Sequence, residues 1–232
     1  MSKFYVVATP IGNMGDITFR AIETLKNVDL ILCEDTRVTK KLLDKYEIKK
    51  PTMSYHAQSK LAKVDKILGL LEEGKDLALV SDAGTPGISD PGAMLVSKIK
   101  SYFSHGVNSE VEVIPIPGST AIITALSASG LPTHEFTFLG FLPHKKGRET
   151  LFKEIAEAKR TYIFYESPHR ILKTLESLIK FCPTRKVCIA RELTKIYEEF
   201  KTGTPAELLE YLNKNPIKQK GEFTILVTPL NY

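Results

Sequence analysis

Apolar and polar residues alternate along this chain in two rhythms, one for each half. In the first half, apolar runs at residues 4–8, 29–34, 77–81 and 111–114 have the length of buried strands. Longer stretches with helical spacing lie near them, at 17–27, 37–46, 60–73 and 91–103. Strands that alternate with helices predict right-handed crossovers and a mostly parallel sheet. Asp90-Pro91 supplies an N-cap acceptor before a proline suited to the first helical position, and Glu73-Gly74 supplies a helix stop.

The segment Ile116-Pro117-Gly118-Ser119 interrupts this pattern and marks a boundary between two domains, 1–117 and 118–232. An apolar helix at 120–129 follows, ended by Gly130-Leu131-Pro132. Strand candidates in the second half are 136–141, 161–166, 186–192 and 223–228, rich in β-branched and aromatic residues. The run 196–202 predicts a further strand antiparallel to its predecessor. Ser167-Pro168 and Thr204-Pro205-Ala206-Glu207 open two more helices, the second through a capping box. The fold class is therefore α/β, with a mostly parallel N-terminal sheet and a mixed C-terminal sheet.

Composition narrows the function classes. Hydrophobic residues make up 43% and charged residues 25%, the balance of an ordinary globular enzyme. No apolar run approaches the roughly 18 residues of a membrane span. The segment 4–8 is too short for a signal-peptide core, which points to a cytoplasmic protein. Cys33, Cys182 and Cys188 form no C-x-x-C pair, so they read as buried, reduced thiols and no metal is expected. The net charge of +5 permits a polyanionic partner without demanding one.

Two loops at strand ends have the composition of ligand cradles. One is Ala8-Thr9-Pro10-Ile11-Gly12-Asn13-Met14-Gly15-Asp16, and the other runs from Ser81 to Gly92 through Asp82-Ala83-Gly84-Thr85-Pro86-Gly87-Ile88. Glycine admits a close backbone approach and proline stiffens the turn. Neither loop is G-x-G-x-x-G or a Walker A motif, which disfavours dinucleotides and nucleoside triphosphates. A tight strand-to-helix turn explains either loop alone; the pair favours a ligand site beyond the carboxyl ends of the strands. Charged clusters also end strands, at Glu34-Asp35-Thr36-Arg37, Glu166-Ser167-Pro168-His169-Arg170 and Arg191-Glu192-Leu193-Thr194-Lys195.

In this order, these motifs make the chain resemble the tetrapyrrole methylase superfamily, the class III S-adenosylmethionine methyltransferases. Within it, the likeness is to members that methylate the ribose 2′-hydroxyl of a cytidine in the decoding region of 16S rRNA. The resemblance spans nearly the whole chain. It implies S-adenosylmethionine as cofactor, a cleft for it between two α/β domains, a homodimer, and 16S rRNA of the small ribosomal subunit as partner. It further implies cofactor contacts from Pro10, Asp82, Gly84, Thr85, Ile88, Ser119 and Thr120. The family's usual Pro-Gly-Pro-Ser-Ala reads Pro117-Gly118-Ser119-Thr120-Ala121 here. Many members also continue into a helical extension beyond the point where this sequence ends at Tyr232; if that extension grips RNA, recognition here is expected to rest on the core or on a short-form variant.

A sulfonium already activates its methyl group, so the protein must chiefly align donor and acceptor. A ribose hydroxyl also needs a proton acceptor. The candidates are Asp35, beside Arg37, and Glu192, beside Lys195, with the two cations positioning RNA. Lys145, Lys146 and Arg148 form a basic cluster suited to phosphates. Two rivals stay open: a corrin-type small-molecule methylase on the same fold, and an RNA-binding ribosome-assembly factor without turnover.

Overall fold

The computed structural model describes residues 1–56, 61–104, 110–230 and 232. The chain divides into two compact units, Met1–Thr120 and Ala121–Tyr232. The turn after Ile116 therefore falls with the first unit, because the Thr85 hydroxyl donates to the Ser119 carbonyl and the Ser119 hydroxyl to that of Asp16.

The first unit runs β1 (Ser2–Val7), α1 (Phe19–Asn27), β2 (Leu30–Cys33), α2 (Thr36–Lys45), β3 (Thr52–Ser54), α3 (Leu61–Glu72), β4 (Leu77–Leu79), α4 (Gly92–Ser104) and β5 (Val111–Ile116). Its five strands are parallel, in the order β3-β2-β4-β1-β5. The side-chain period of two divides each strand between two cores. Ile31 and Cys33 of β2 pack with Ala21, Leu25 and Leu43, while Leu32 packs with Val64, Ile67, Leu95 and Ile99. Thus α1 and α2 cover one face, and α3 and α4 the other. Right-handed crossovers require this when winding runs outward from β1 to β3 and then returns from β3 to β5.

Helix ends follow local chemistry. Thr18 and Asp35 cap α1 and α2 by accepting backbone amides. The Gly74 amide donates to Leu71 and the Lys75 amide to Leu70, with Gly74 at φ +84°, which closes α3 as a Schellman motif. The expected first residue of α3, Lys60, lies outside the described residues. Helix α4 begins one residue later than expected, and the Asp90 carboxylate still receives the Gly92 amide at 2.7 Å. Strand β3 went unpredicted: three half-buried residues carry no periodic signal.

The second unit runs α5 (Ala121–Ala128), β6 (Phe136–Phe141), α6 (Arg148–Glu157), β7 (Thr161–Glu166), α7 (Ile171–Phe181), β8 (Val187–Arg191), β9 (Glu199–Gly203), α8 (Pro205–Lys214) and β10 (Phe223–Val227). The sheet order is β6-β7-β10-β8-β9, with only β6 and β7 parallel. This is the mixed sheet expected, including the antiparallel β9. Thr204 and Glu207 form the capping box of α8. Helix α7 starts at Ile171 rather than at Ser167-Pro168, because the Arg170 and Ile171 amides first close a turn on the Ser167 carbonyl at 3.0 and 3.1 Å. Helix α6 was also unpredicted; its N-cap, Gly147, offers no capping side chain. Among the described residues, no helix is long and apolar enough to cross a membrane.

One buried cation staples this unit. Arg185 is 5% exposed, and its guanidinium donates to the carbonyls of Ile155, Ala156, Ala158 and Thr228. The first three lie at the carboxyl end of α6, where the helix dipole favours a cation. Arg185→Met should strand these acceptors and lower the unfolding free energy by about 2–4 kcal/mol, since a hydrogen bond to a charged donor contributes about 1.5–3. Denaturant unfolding checks this, and an unchanged midpoint would contradict the stapling role.

Candidate functional site

The winding reversal makes β1 and β4 neighbours whose outgoing connections run in opposite directions, β1 towards β2 and β4 towards β5. Such a switch point is where open α/β sheets bind ligands. Both glycine-containing loops leave the sheet here. The Thr9 amide donates to the Gly84 carbonyl at 2.9 Å, and the Gly84 amide returns a bond to Thr9 at 3.1 Å. The Thr9 hydroxyl adds a bond to the Ser81 carbonyl at 3.2 Å. The turn after β5 joins them through the 3.1 Å bond from Thr85 to Ser119. A Cβ on Gly118 would stand 2.9 Å from Ala8 Cβ, so glycine is what lets this turn close against the end of β1.

The seven residues expected to touch a cofactor thus lie on three mutually bonded loops. Pro10 and Gly84 are buried, whereas Asp82 and Ile88 are exposed. Gly84 adopts φ +81°, and a Cβ there would approach Ile11 Cγ2 to 3.2 Å. At the loop's far end, Asp90 accepts the Gly87 and Gly92 amides, both at 2.7 Å.

The charged loop after β2 is bonded to the same cradle. The Asp35 amide donates to the Asp82 carboxylate at 3.0 Å. Asp35 itself caps α2 and holds the Arg37 guanidinium through both carboxylate oxygens, the shortest contact being 2.6 Å. Arg37 therefore holds the Asp35 carboxyl well below the usual range. Its neighbour Glu34 behaves oppositely. Burial and the nearby Asp90 and Asp82 carboxylates push Glu34 up, outweighing a hydrogen bond from the Asp82 backbone. Glu34 belonged to a recognised cluster, but nothing in the local sequence separates its burial from that of Asp35.

Glu192 and Lys195 lie in the second unit, on the loop between β8 and β9. Glu192 Oε1 accepts the Glu222 amide at 2.8 Å and the Lys195 ammonium at 3.0 Å. Burial pushes Glu192 up, but the Glu222 amide, Lys195 and Arg191 outweigh it and hold the carboxyl down. Glu192 and Thr194 both sit at positive φ, 52° and 66°. A Cβ on Gly221 would meet Glu192 Cγ at 2.7 Å, so this carboxylate rests against bare backbone.

Lys145 and Lys146 are exposed in the segment between β6 and α6. Arg148 departs from them. Its guanidinium donates to the Pro143 carbonyl at 3.2 Å and to Thr174 Oγ1 at 2.7 Å, and stands 4.0 Å from Glu166. The side chain is 16% exposed and committed to scaffold, which corrects its grouping with the lysines. Glu166 is buried at the centre of this cluster. It takes the Arg170 guanidinium at 2.7 Å and the Thr174 hydroxyl at 2.6 Å, and Arg170 also holds the Leu142 carbonyl at 2.8 Å. The cluster pins both ends of the segment that presents the lysines. Cys33, Cys182 and Cys188 are buried and free; burial pushes the Cys182 thiol up to about 11.

This loop-and-sheet arrangement is that of a methyltransferase family. The chain belongs to the tetrapyrrole methylases: the family model described as "Tetrapyrrole (Corrin/Porphyrin) Methylases" matches residues 3–209. In particular it is similar to curated proteins that bear the name "Ribosomal RNA small subunit methyltransferase I". One, from Synechocystis sp., is 48% identical over 229 residues, which cover 98% of this chain and 79% of the relative. Another, from Thermotoga maritima, is 44% identical over 228 residues, covering 98% of this chain and 99% of the relative. Among solved structures, the crystal structure of the methyltransferase CobJ matches with a TM-score of 0.67 at 21% identity, over 98% of this chain and 93% of that one. At that identity the likeness concerns the fold alone. Methyltransferases of this family use S-adenosylmethionine in general, and this chain is one of them.

The opposed environments of Glu34 and Asp35 are directly measurable. Carboxyl-carbon NMR titration should place Glu34 above the usual glutamate range and Asp35 below the usual aspartate range. The reverse order would contradict the Asp82-centred arrangement.

Proposed function

We propose that the chain transfers a methyl group from S-adenosylmethionine to the ribose 2′-hydroxyl of a cytidine in the decoding region of 16S rRNA. The observation that carries this reading is the three-loop cradle around Gly84, in a chain 48% identical to a protein named for small-subunit rRNA methylation. The loops fit the cofactor. At Gly84 the positive φ and the closeness of Ile11 and the Ser119 carbonyl disfavour a side chain, so the loop packs tightly against its two neighbours. The Glu34, Asp35 and Asp82 carboxylates at the same strand ends suit a sulfonium cation.

Pro10, Asp82, Gly84, Thr85, Ile88, Ser119 and Thr120 would hold the cofactor, which supplies an activated methyl group when bound. The protein's own task is to align a ribose hydroxyl and receive its proton. Asp35 and Glu192 are weak acceptors, because Arg37 stabilises the charged form of the first, and the Glu222 amide with Lys195 that of the second. Both serve the reading better as anchors, Asp35 for Arg37 and Glu192 for Lys195, with RNA phosphate engaging those cations beside or in exchange for their carboxylates. Glu34 has the stronger proton affinity and joins them as a candidate acceptor. Lys145 and Lys146 supply further phosphate contacts.

Labelled-methyl transfer to small subunits that lack the modification, followed by ribose-methylation mapping, tests the reading. Label at a cytidine 2′-oxygen is expected; label on a base, or none, would refute it. In single turnovers with both ligands saturating, Glu34→Gln should slow transfer about 10²-fold or more, the range of general-base catalysis. Asp35→Asn should slow it less. Gly84→Val should abolish cofactor binding by calorimetry while RNA binding persists, and unchanged affinity would remove this loop from the site.

A further inference from the structure

A groove of about 550 Å³ runs along α2 to the start of β3, lined by Arg37, Lys40, Lys49 and Lys50, with Asp44 the carboxylate among its walls. Its floor includes the buried Leu43 and Ile48. Residues 36–50 hold six cations against two carboxylates, a net charge of +4 in a chain whose total is +5. Lys40 is paired with Asp44 at 2.8 Å, but among the described residues no carboxylate pairs with Lys49 or Lys50. Like charges gathered round a concave wall repel one another and focus a positive potential into it. Arg37 and Lys40 have carboxylate partners, so the excess positive charge of the lining rests on Lys49 and Lys50, and such an excess round a groove is the electrostatic footprint of a polyanion.

The groove's position says which polyanion. One end is Arg37, bonded to Asp35, whose amide is bonded to Asp82 in the candidate cofactor loop. The Arg37 side chain is 86% exposed, and an exposed ion pair contributes little, so a phosphate can replace its carboxylate at small cost. A strand lying along Lys49 and Lys50 and reaching Arg37 would bring its next nucleotide to the cradle.

We propose that this α2–β3 groove binds the phosphodiester backbone of the RNA substrate and guides it to the methyl donor. This rests on the ribosomal-RNA reading above and adds a surface distinct from Lys145 and Lys146. Phosphates track the wall while the apolar floor accepts the sugar edge; no base-specific contact is invoked.

The test is the Lys49→Gln/Lys50→Gln double variant, which keeps the alkyl stems and touches no ion pair. Filter binding of an unmodified 16S rRNA decoding-region fragment is measured across a salt series, beside steady-state methylation of the same RNA. The expected result is a salt slope smaller by about 0.7–0.9 per lysine and a roughly tenfold weaker affinity at low salt. KM for RNA should rise with kcat, S-adenosylmethionine affinity and melting temperature unchanged. If the wild type binds RNA with a steep salt slope and the double variant keeps that slope and KM, the groove is overturned. If the wild type itself neither binds nor methylates the RNA, the ribosomal-RNA reading fails, and the groove with it.

Discussion

The reciprocal hydrogen bonds between Thr9 and Gly84 join the loops that leave β1 and β4, and the site is built outward from them. They can form because the sheet reverses its winding, so that two strands far apart in sequence end side by side with their connections crossing. Parallel strands alone would not produce this; the order β3-β2-β4-β1-β5 does. Gly84 must then turn at positive φ, Gly118 must admit the end of β1, and Thr85 must reach Ser119. Each of these demands falls on a residue type that meets it at low cost, glycine for conformation and threonine for a short donor. The charged loop after β2 joins the same frame through Asp82, so the candidate cofactor loops and the Arg37 guanidinium share one set of strand ends.

In the second unit, a fully buried carboxylate, Glu166, and two largely buried arginines do the corresponding work. Glu166 is paired with Arg170 and bridged to Arg148 through Thr174, and the two arginines spend their remaining donors on the Leu142 and Pro143 carbonyls. Every strong group has a partner, which is the condition for a buried ionic cluster to be tolerated. The consequence is positional: the lysines at 145 and 146 stand on a segment whose ends are fixed, so they present charge from a defined place rather than from a loose loop.

Much of the fold was legible in sequence because local signals and burial agree. The strands Phe136–Phe141 and Thr161–Glu166, the Thr204 capping box and the Gly74 helix stop all show their causes within a few residues. Strand β3 was illegible because three half-buried residues have no period, and α6 because its cap is a glycine without an accepting side chain. The loops of the site were visible by composition, whereas the bonds that unite them span 34 to 103 residues and depend on strand order. Arg148 shows the same limit from another side. In sequence it stands with two lysines, yet its guanidinium turns to a threonine 26 residues away. Asp35 has its cation two residues away, whereas the surroundings of Glu34, its burial and the carboxylates of Asp90 and Asp82, come from the fold and not from sequence spacing.

Backbone hydrogen exchange, read residue by residue with and without S-adenosylmethionine, tests the central claim that the three bonded loops are one cofactor cradle. The account predicts that added cofactor slows amides together in residues 9–13, 82–88 and 118–120, because a ligand on any one loop braces the other two. Binding that leaves these three segments unprotected, with protection elsewhere in the chain, would contradict it.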